Sequence, residues 1–336
     1  MRIVKNKINF GIIGCSQIAN ISTIPAILQS KNASLTMIGS RTCKKAEEFS
    51  KRFGCKESGT YDEVLENKNI NAVYISVPVG LHKKWAIKAA NAGKHILCEK
   101  SSSCFYNDSI KMVRAAKKNE VRILEGFMFR FHPSHKKVKE IIKSNKLGKI
   151  YSFFGRYGFP NPPKEDIRFK KDLGGGIIND ASCYPICASR MIFEEEPIWI
   201  MCQSTFDENG IDIKTSIQMK FDGEKVAQMI TGYGMAYQSS YSLWGTKGTL
   251  RLTRSYNIPS DMKPQISLDF LNKRKMIFVK PANHFKLMID AFTDEIIKNK
   301  KANFVFEDEL LKQAKVMEAV RISSKKNKLV KIKSEK

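Results

Sequence analysis

The sequence predicts an α/β chain: an N-terminal doubly wound parallel sheet joined to a C-terminal α+β domain with a large open mixed or antiparallel sheet. Three observations carry this. A buried-strand pattern at residues 8–13 breaks at Gly14 and passes into a loose helical pattern. Short apolar runs then alternate with helical segments of about 10–15 residues up to residue 125. From Ile198 to Val279 the pattern becomes successive strands punctuated by turn residues. The expected boundaries are 1–125 for a dinucleotide-binding domain and 126–336 for a substrate and assembly domain, with the last helix able to pack back on the first.

Ile8, Phe10, Ile12 and Ile13 form an apolar run suited to a buried parallel strand, and Ile18, Ile21 and Ile24 begin the helix after it. Strand, tight turn and helix are the context of a dinucleotide fingerprint. Gly14 supplies the turn, Ser16 stands where a second glycine lets the backbone approach a pyrophosphate, and Ala19 stands where helix meets strand. Cys15, Gln17 and Ile18 complete the segment expected to face the cofactor. Free N–H groups and the helix dipole favour an anion there. The bland reading is an ordinary αβ turn.

Leu35–Arg41 reads as the second strand. Its end faces the adenosine ribose in this architecture, where an acid would bind the 2′-hydroxyl of NAD. Here stand Ser40, Arg41 and Thr42, with Lys44 and Lys45 behind. A hydroxyl followed by a guanidinium suits a 2′-phosphate, so NADP(H) is expected over NAD(H). The alternative is the solvated start of an amphipathic helix over Lys44–Arg52.

Further helices are expected at Tyr61–Glu66, Leu81–Ala92 and Ser109–Asn119, and strands at 72–77, 94–98 and 121–125. Ligands of such a sheet bind beyond the carboxyl ends of its strands, where Gly14, Ser40, Pro78 and Lys100 fall. After residue 125 come a helix at His135–Ser144, a strand at Ile150–Gly158, and a triple glycine, 174–176, leading into a helix at about 179–193. Turn signals stand at 208–210, 222–223 and 246–248, and helices close the chain at His284–Lys298 and Glu307–Lys325.

At 336 residues with 42% hydrophobic and 10% aromatic content, the chain supports two cores. It holds no apolar run of the ~18 residues a membrane span needs. Its first seven residues leave no room for a signal peptide before the first strand, so it reads as cytoplasmic. Eight cysteines are scattered without a Cys-x-x-Cys pair, and only five histidines are present. Free thiols and no metal site are expected. The formal charge of +25 invites a nucleic-acid reading. Against it, the lysines are spread along the chain, rarely interleaved with aromatics, and densest in the tail from Lys325 to Lys336. No nucleic-acid partner is expected. Such a surface equally favours a phosphorylated or nucleotide-linked small substrate.

Two further features carry chemistry. Lys100 ends a buried strand, where a lysine becomes a short-range donor to a substrate oxygen; the alternative is a lysine that snorkels to water. Asp180 and Tyr184 lie four apart on a helix and share a face. Tyr184 has the chemistry of a proton donor to a carbonyl oxygen; the alternative is a helix-start carboxylate and a core tyrosine.

Taken together, these segments resemble the glucose–fructose oxidoreductase / inositol dehydrogenase family. The likeness runs through Gly-Ile-Ile-Gly-Cys-Ser-Gln-Ile-Ala (11–19), Ser-Arg (40–41), Val-Pro-Val-Gly-Leu-His (77–82) and Ala-Gly-Lys-His-Ile-Leu-Cys-Glu-Lys (92–100). It continues through Arg-Phe-His-Pro (130–133), Asp-Ile-Arg (166–168), Gly-Gly-Gly-Ile-Ile-Asn-Asp (174–180) with Tyr184, and Gly-Thr-Lys-Gly-Thr-Leu (245–250).

The resemblance implies a Rossmann domain, then an open sheet that commonly serves as an oligomer interface, here in a homodimer or homotetramer. It implies hydride transfer between NADPH and a sugar carbonyl. Lys100 is the lysine of a Glu-Lys-Pro motif whose proline is replaced by Ser101. Tyr184 matches the subset with tyrosine as acid/base, and Asp180 would orient a neighbouring hydroxyl or Lys100. Val77, Pro78, Leu81, His82 and Glu99 would line the cofactor, and Arg168 would contact a cofactor or substrate phosphate or form a structural salt bridge. Ser16, the Ser-Arg pair and Tyr184 are similar to nucleotide-sugar 3-ketoreductases. The alternatives are an NADP-dependent dehydrogenase of a free sugar, polyol or dihydrodiol, and a dinucleotide-binding regulator without turnover.

Overall fold

The structure, a computed structural model, describes residues 7–298 and 305–332. The leader reading at the N-terminus and the end of the basic tail therefore concern stretches partly outside the described residues. The described residues fall into two compact units: those up to Met128 together with Phe285–Leu311, and Phe129–His284 together with the residues from Lys312 on.

The first unit holds six parallel strands: β1 (Ile8–Ile13), β2 (Ala33–Gly39), β3 (Glu57–Gly59), β4 (Ala72–Ile75), β5 (His95–Cys98) and β6 (Ile123–Glu125). Their order is β3-β2-β1-β4-β5-β6. The strand order reverses between β1 and β4, the switch point at which such sheets bind ligands. Five helices connect the strands: α1 (Ile24–Gln29), α2 (Cys43–Phe53), α3 (Tyr61–Glu66), α4 (Val79–Asn91) and α5 (Tyr106–Lys118). Every residue of β4 is buried, as the unbroken apolar run requires when helices cover both faces. Thr60 and Glu63 form a reciprocal capping box that starts α3. The sequence reading did not include β3, because an edge strand reading Glu-Ser-Gly has no apolar period.

In the second unit, α6 (Pro133–Lys143) precedes β7 (Ile150–Phe159), and α7 (Cys183–Phe193) follows a π-helical turn over Ile178–Ser182. Then come β8 (Trp199–Phe206), β9 (Asp212–Lys220), β10 (Val226–Tyr233), β11 (Gln238–Gly245), β12 (Thr249–Thr253), β13 (Gln265–Phe270) and β14 (Lys273–Phe278). Helix α8 (His284–Ile297) from Phe285 on and the start of helix α9 (Val305–Lys326) belong to the first unit; the rest of α9, from Lys312, and strand β15 (Val330–Lys331) belong to the second. The nine strands run β14-β13-β12-β11-β7-β10-β9-β8-β15. The β7–β10 pair is parallel and the others are antiparallel, so the sheet is mixed. Helix α7 packs against β7 and β10. Strand residues such as Phe153, Ala227 and Leu243 are buried, whereas Ile230 and Trp244 are 53% and 58% exposed.

Within the first unit, the edge strand β6 is held from the C-terminal part of the chain. Arg122 pairs with Glu295 at 3.2 Å and with the fully buried Glu307 at 2.9 Å. The Ile123 N–H also donates to Glu307 Oε1 at 2.9 Å. A buried carboxylate is tolerable when charge and hydrogen bonds are both supplied, as they are here.

Candidate active site

In the first unit the turns after β1, β2, β4 and β5 lie at the carboxyl ends of the parallel strands, where ligands of such sheets bind. Gly14 has φ +110°, and a Cβ there would lie 3.0 Å from the Ser76 carbonyl carbon and oxygen, so only glycine fits. The Ser76 hydroxyl donates to the Gly14 carbonyl at 2.7 Å, tying this turn to the end of β4. Helical structure starts at Gln17. The Ser16 hydroxyl accepts from the Ala19 N–H at 3.1 Å, so this serine caps the helix as well as replacing a glycine. N–H groups of a first helical turn lack intrahelical partners and suit a pyrophosphate. Gln17 and Ile18 open that turn. The structure differs from the expected plain helix in beginning with a π-helical stretch, Ala19–Thr23.

Cys15 is buried, its Sγ 3.8 Å from both the Gly39 and Lys45 carbonyls. Burial pushes its thiol pKa up. The side chain thus fixes the 40–45 segment from beneath, leaving the backbone of Cys15 to the turn. Ser40 is buried and its N–H donates to the Gly59 carbonyl at 3.0 Å, while Arg41 and Lys45 are exposed. A fixed serine followed by exposed cations is a geometry that fits a 2′-phosphate.

Beyond β4, Val77 is buried, Pro78 occupies the N-cap position of α4, and Leu81 is half-buried. The His82 ring is 1% exposed and lies between the Val77 and Ser101 carbonyls. Beyond β5, Glu99 is buried and joined to a chain of hydroxyls. Thr23 Oγ1 donates to Tyr74 Oη at 3.1 Å, and Tyr74 Oη donates to Glu99 Oε1 at 2.7 Å. Glu99 Oε2 accepts from the Lys100 N–H at 3.3 Å. Burial raises the Glu99 pKa, opposed by the Tyr74 hydrogen bond and the Lys100 charge. Lys100 is half-buried two residues past β5, and its peptide bond to Ser101 is cis.

Asp180 and Tyr184 lie in the second unit. They straddle the junction of the π-helical turn and α7, so the expected single helix is wider at its start. One extra residue in a turn does not change the apolar pattern enough to be read from sequence. Gly176 at φ +113° leads into the turn, and the Asp212 carboxylate accepts from the Ile178 N–H at 3.1 Å. Burial pushes the Asp212 pKa up to about 7, against the N–H groups and Arg321 that favour its charge. Arg321 Nη1 donates to Asn179 Oδ1 at 2.8 Å, and Gln313 Nε2 donates to the Cys183 carbonyl at 3.1 Å, so α9 secures this helix start.

Arg168 Nε donates to Asp180 Oδ2 at 2.7 Å, and Arg168 Nη1 pairs with Asp166 at 3.1 Å. Tyr233 Oη donates to the same Asp180 oxygen at 3.4 Å. The sequence reading offered Arg168 a phosphate or a structural salt bridge; the structure engages it with two carboxylates. Tyr184 is 6% exposed in an aromatic shell, its ring centroid 5.2 Å from Tyr157, 5.8 Å from Tyr256 and 5.9 Å from Phe129. Burial raises the pKa values of Tyr157 and Tyr256, which keeps both neutral. A proton donor in such a dry setting acts on charge with little screening.

Tyr74, Tyr233 and Asp212 were not among the residues singled out in the sequence, and Asp166 stood there only within the Asp-Ile-Arg motif. The hydroxyl of Tyr74 inside the otherwise apolar Ala-Val-Tyr-Ile strand was the readable signal for the first; Asp166 pairs with Arg168 two residues on, and Tyr233 and Asp212 meet their partners only through the tertiary fold. Among the described residues, no group of three or more His, Cys, Asp or Glu side chains is placed to hold a metal ion. No described helix is long and apolar enough to cross a membrane.

Comparison with known proteins adds to this geometry. Residues 8–127 match the oxidoreductase family model with an NAD-binding Rossmann fold, and residues 135–251 match the GFO/IDH/MocA C-terminal domain. A dTDP-3,4-didehydro-2,6-dideoxy-alpha-D-glucose 3-reductase from Saccharopolyspora spinosa is 30% identical over 268 residues, covering 79% of this chain and 80% of that one. The enzyme of the same name from Actinomadura kijaniata is 28% identical over 322 residues, covering 95% and 96%. The crystal structure of a 3-ketoreductase from Actinomadura kijaniata in complex with NADP and TDP-benzene superposes with a TM-score of 0.92 at 27% identity, covering 95% of this chain and 98% of that one.

Proposed function

This chain belongs to the GFO/IDH/MocA oxidoreductase family, and we propose that it reduces the keto group of a nucleotide-linked sugar with NADPH. The observation that carries the reading is a glycine-turn cradle followed by exposed cations, on a chain that also buries Tyr184 in an aromatic shell one turn from Asp180. The Saccharopolyspora spinosa and Actinomadura kijaniata relatives are reductases of dTDP-linked keto sugars, which supports the substrate class.

Gly14, Ser16 and the first helical turn would hold the pyrophosphate, and Ser40, Arg41 and Lys45 the 2′-phosphate. Val77, Pro78, Leu81, His82 and Glu99 would shape the nicotinamide side. The bound cofactor supplies the hydride. Tyr184 releases a proton to the carbonyl oxygen of the sugar. Lys100 places an ammonium at that oxygen and stabilises the charge that develops on it. Arg168 and Tyr233 hold Asp180, and Asp180 sets the face of the helix that presents Tyr184. The excess of positive charge favours a diphosphate-bearing substrate, and a cytoplasmic setting agrees with the free thiols.

The test is NADPH oxidation over a panel of free and dTDP-linked keto sugars. Saturable turnover with a nucleotide-linked sugar, and a much higher KM for the free sugar, is the expected result. Turnover confined to free sugars or polyols would replace this reading with that of a dehydrogenase, and NADPH binding without any turnover would replace it with that of a regulator.

A further inference from the structure

The ring of His82 ends on two main-chain carbonyls. Nδ1 lies 2.9 Å from the Ser101 oxygen and Nε2 2.8 Å from the Val77 oxygen. The two carbonyls belong to different loops. Val77 precedes Pro78 in the turn after β4, and Ser101 directly follows Lys100 in the segment after β5. A neutral imidazole donates to only one of them, and a ring protonated at both nitrogens donates to both. Burial and the Lys100 charge oppose the second proton, while the carbonyls favour it.

The Lys100 segment has other anchors as well. The Lys100 N–H donates to Glu99, which Tyr74 fixes, and the Ser102 N–H donates to Glu125 Oε1 at 2.6 Å. Of the two carbonyls between these anchors, His82 restrains that of Ser101, and it does so from the helix that also begins at the Val77–Pro78 turn.

We infer that His82 is a positioning residue which ties the Val77–Pro78 turn to the Lys100–Ser101 segment, so that both loops hold a single arrangement. This rests on the reading of Lys100 as a participant in the reaction. It gives His82 a task separate from touching the cofactor.

Hydrogen–deuterium exchange of the full ligand-free chain tests the tie without relying on activity. In H82F, which keeps a ring of similar size without a donor, peptides over both 76–81 and 99–104 are expected to exchange at least tenfold faster, with β1 peptides unchanged. H82Q, which keeps an amide donor, should recover part of that protection. If H82F does not fold, H82A is read in its place. Parent-like exchange in either loop, or faster exchange confined to 79–91, would overturn the inference.

Single-turnover hydride transfer provides the second readout. H82F should slow it at least tenfold with the NADPH dissociation constant within threefold of the parent, and by less than twofold in a Lys100→Ala background. Equal slowing in both backgrounds would overturn action through Lys100. A parent protein inactive on every keto sugar would instead remove the proposed function, while the exchange result would still decide whether His82 joins the loops.

Discussion

Arg168 and Asp180 are joined at 2.7 Å, and Asp180 stands four residues before Tyr184. The guanidinium also pairs with Asp166, and its side chain is 38% exposed. Solvent weakens a pair of that exposure, so its value lies in geometry more than in stability. Arg168→Ala is predicted to lower turnover about tenfold, the effect of a misplaced acid, with NADPH affinity nearly unchanged. Fluorescence titration of NADPH checks the second part; a tenfold weaker dissociation constant would place the guanidinium on a cofactor phosphate instead.

The cofactor preference is set at the end of β2. Because Ser40 and Arg41 stand where an acid would bind a ribose hydroxyl, NADP(H) should bind at least tenfold tighter than NAD(H). Arg41→Ala should remove about 1.5–3 kcal/mol of that preference, the worth of a charged hydrogen bond. Equal affinities in the parent protein would contradict the assignment.

These two sites differ in how far they were legible. Gly14, Ser40 and Lys100 sit where strand ends must fall once apolar runs and helices alternate, so local pattern alone places them. The presence of both sheets followed from the same pattern, but the short edge strands β3 and β15 did not. The partners of Asp180 are of another kind. Arg168 and Tyr233 reach it from a 3₁₀ turn and from β10, and no local period encodes that meeting. The π-helical turns at 19–23 and 178–182 were equally hidden, since each depends on a backbone register that leaves the apolar positions in place.

Burial holds His95, His132, His135 and His284 neutral. The pKa falls to about 4 at His95 and His132 and to about 3 at His135 and His284, and it is lowered at His82. A histidine with a depressed folded pKa binds more protons when unfolded, so stability is lost as pH falls from the unfolded value near 6.5 toward the folded one. Asp212 and Glu99, with raised values, act in the opposite sense, losing stability as pH rises from about 4. Five groups outweigh two, so the melting temperature should fall steadily from pH 6.5 to pH 4. A melting temperature flat or rising over that interval would contradict the burial of these rings.

Ile230 and Trp244 lie on the nine-stranded sheet with more than half of each side chain exposed. Large apolar side chains left open on a sheet are costly for a monomer. The protein is predicted to be a homodimer or homotetramer through this face, with Trp244→Glu shifting it toward monomer. Light scattering at micromolar concentration decides, and a monomeric parent would end the proposal.

The central claim is that Tyr184 gives the proton and Lys100 supplies the charge at the same oxygen. The most direct measurement is the turnover of a folded Tyr184→Phe protein with saturating NADPH and a nucleotide-linked keto sugar. The account predicts a loss of about 10²–10⁴ in turnover, the usual share of general acid catalysis, with cofactor affinity kept. Lys100→Ala should cost at least as much, and the double variant far less than the product of the two, because residues acting as a unit are not additive. Parent-like turnover in folded Tyr184→Phe would contradict the account and leave Tyr184 as a core residue of the second unit.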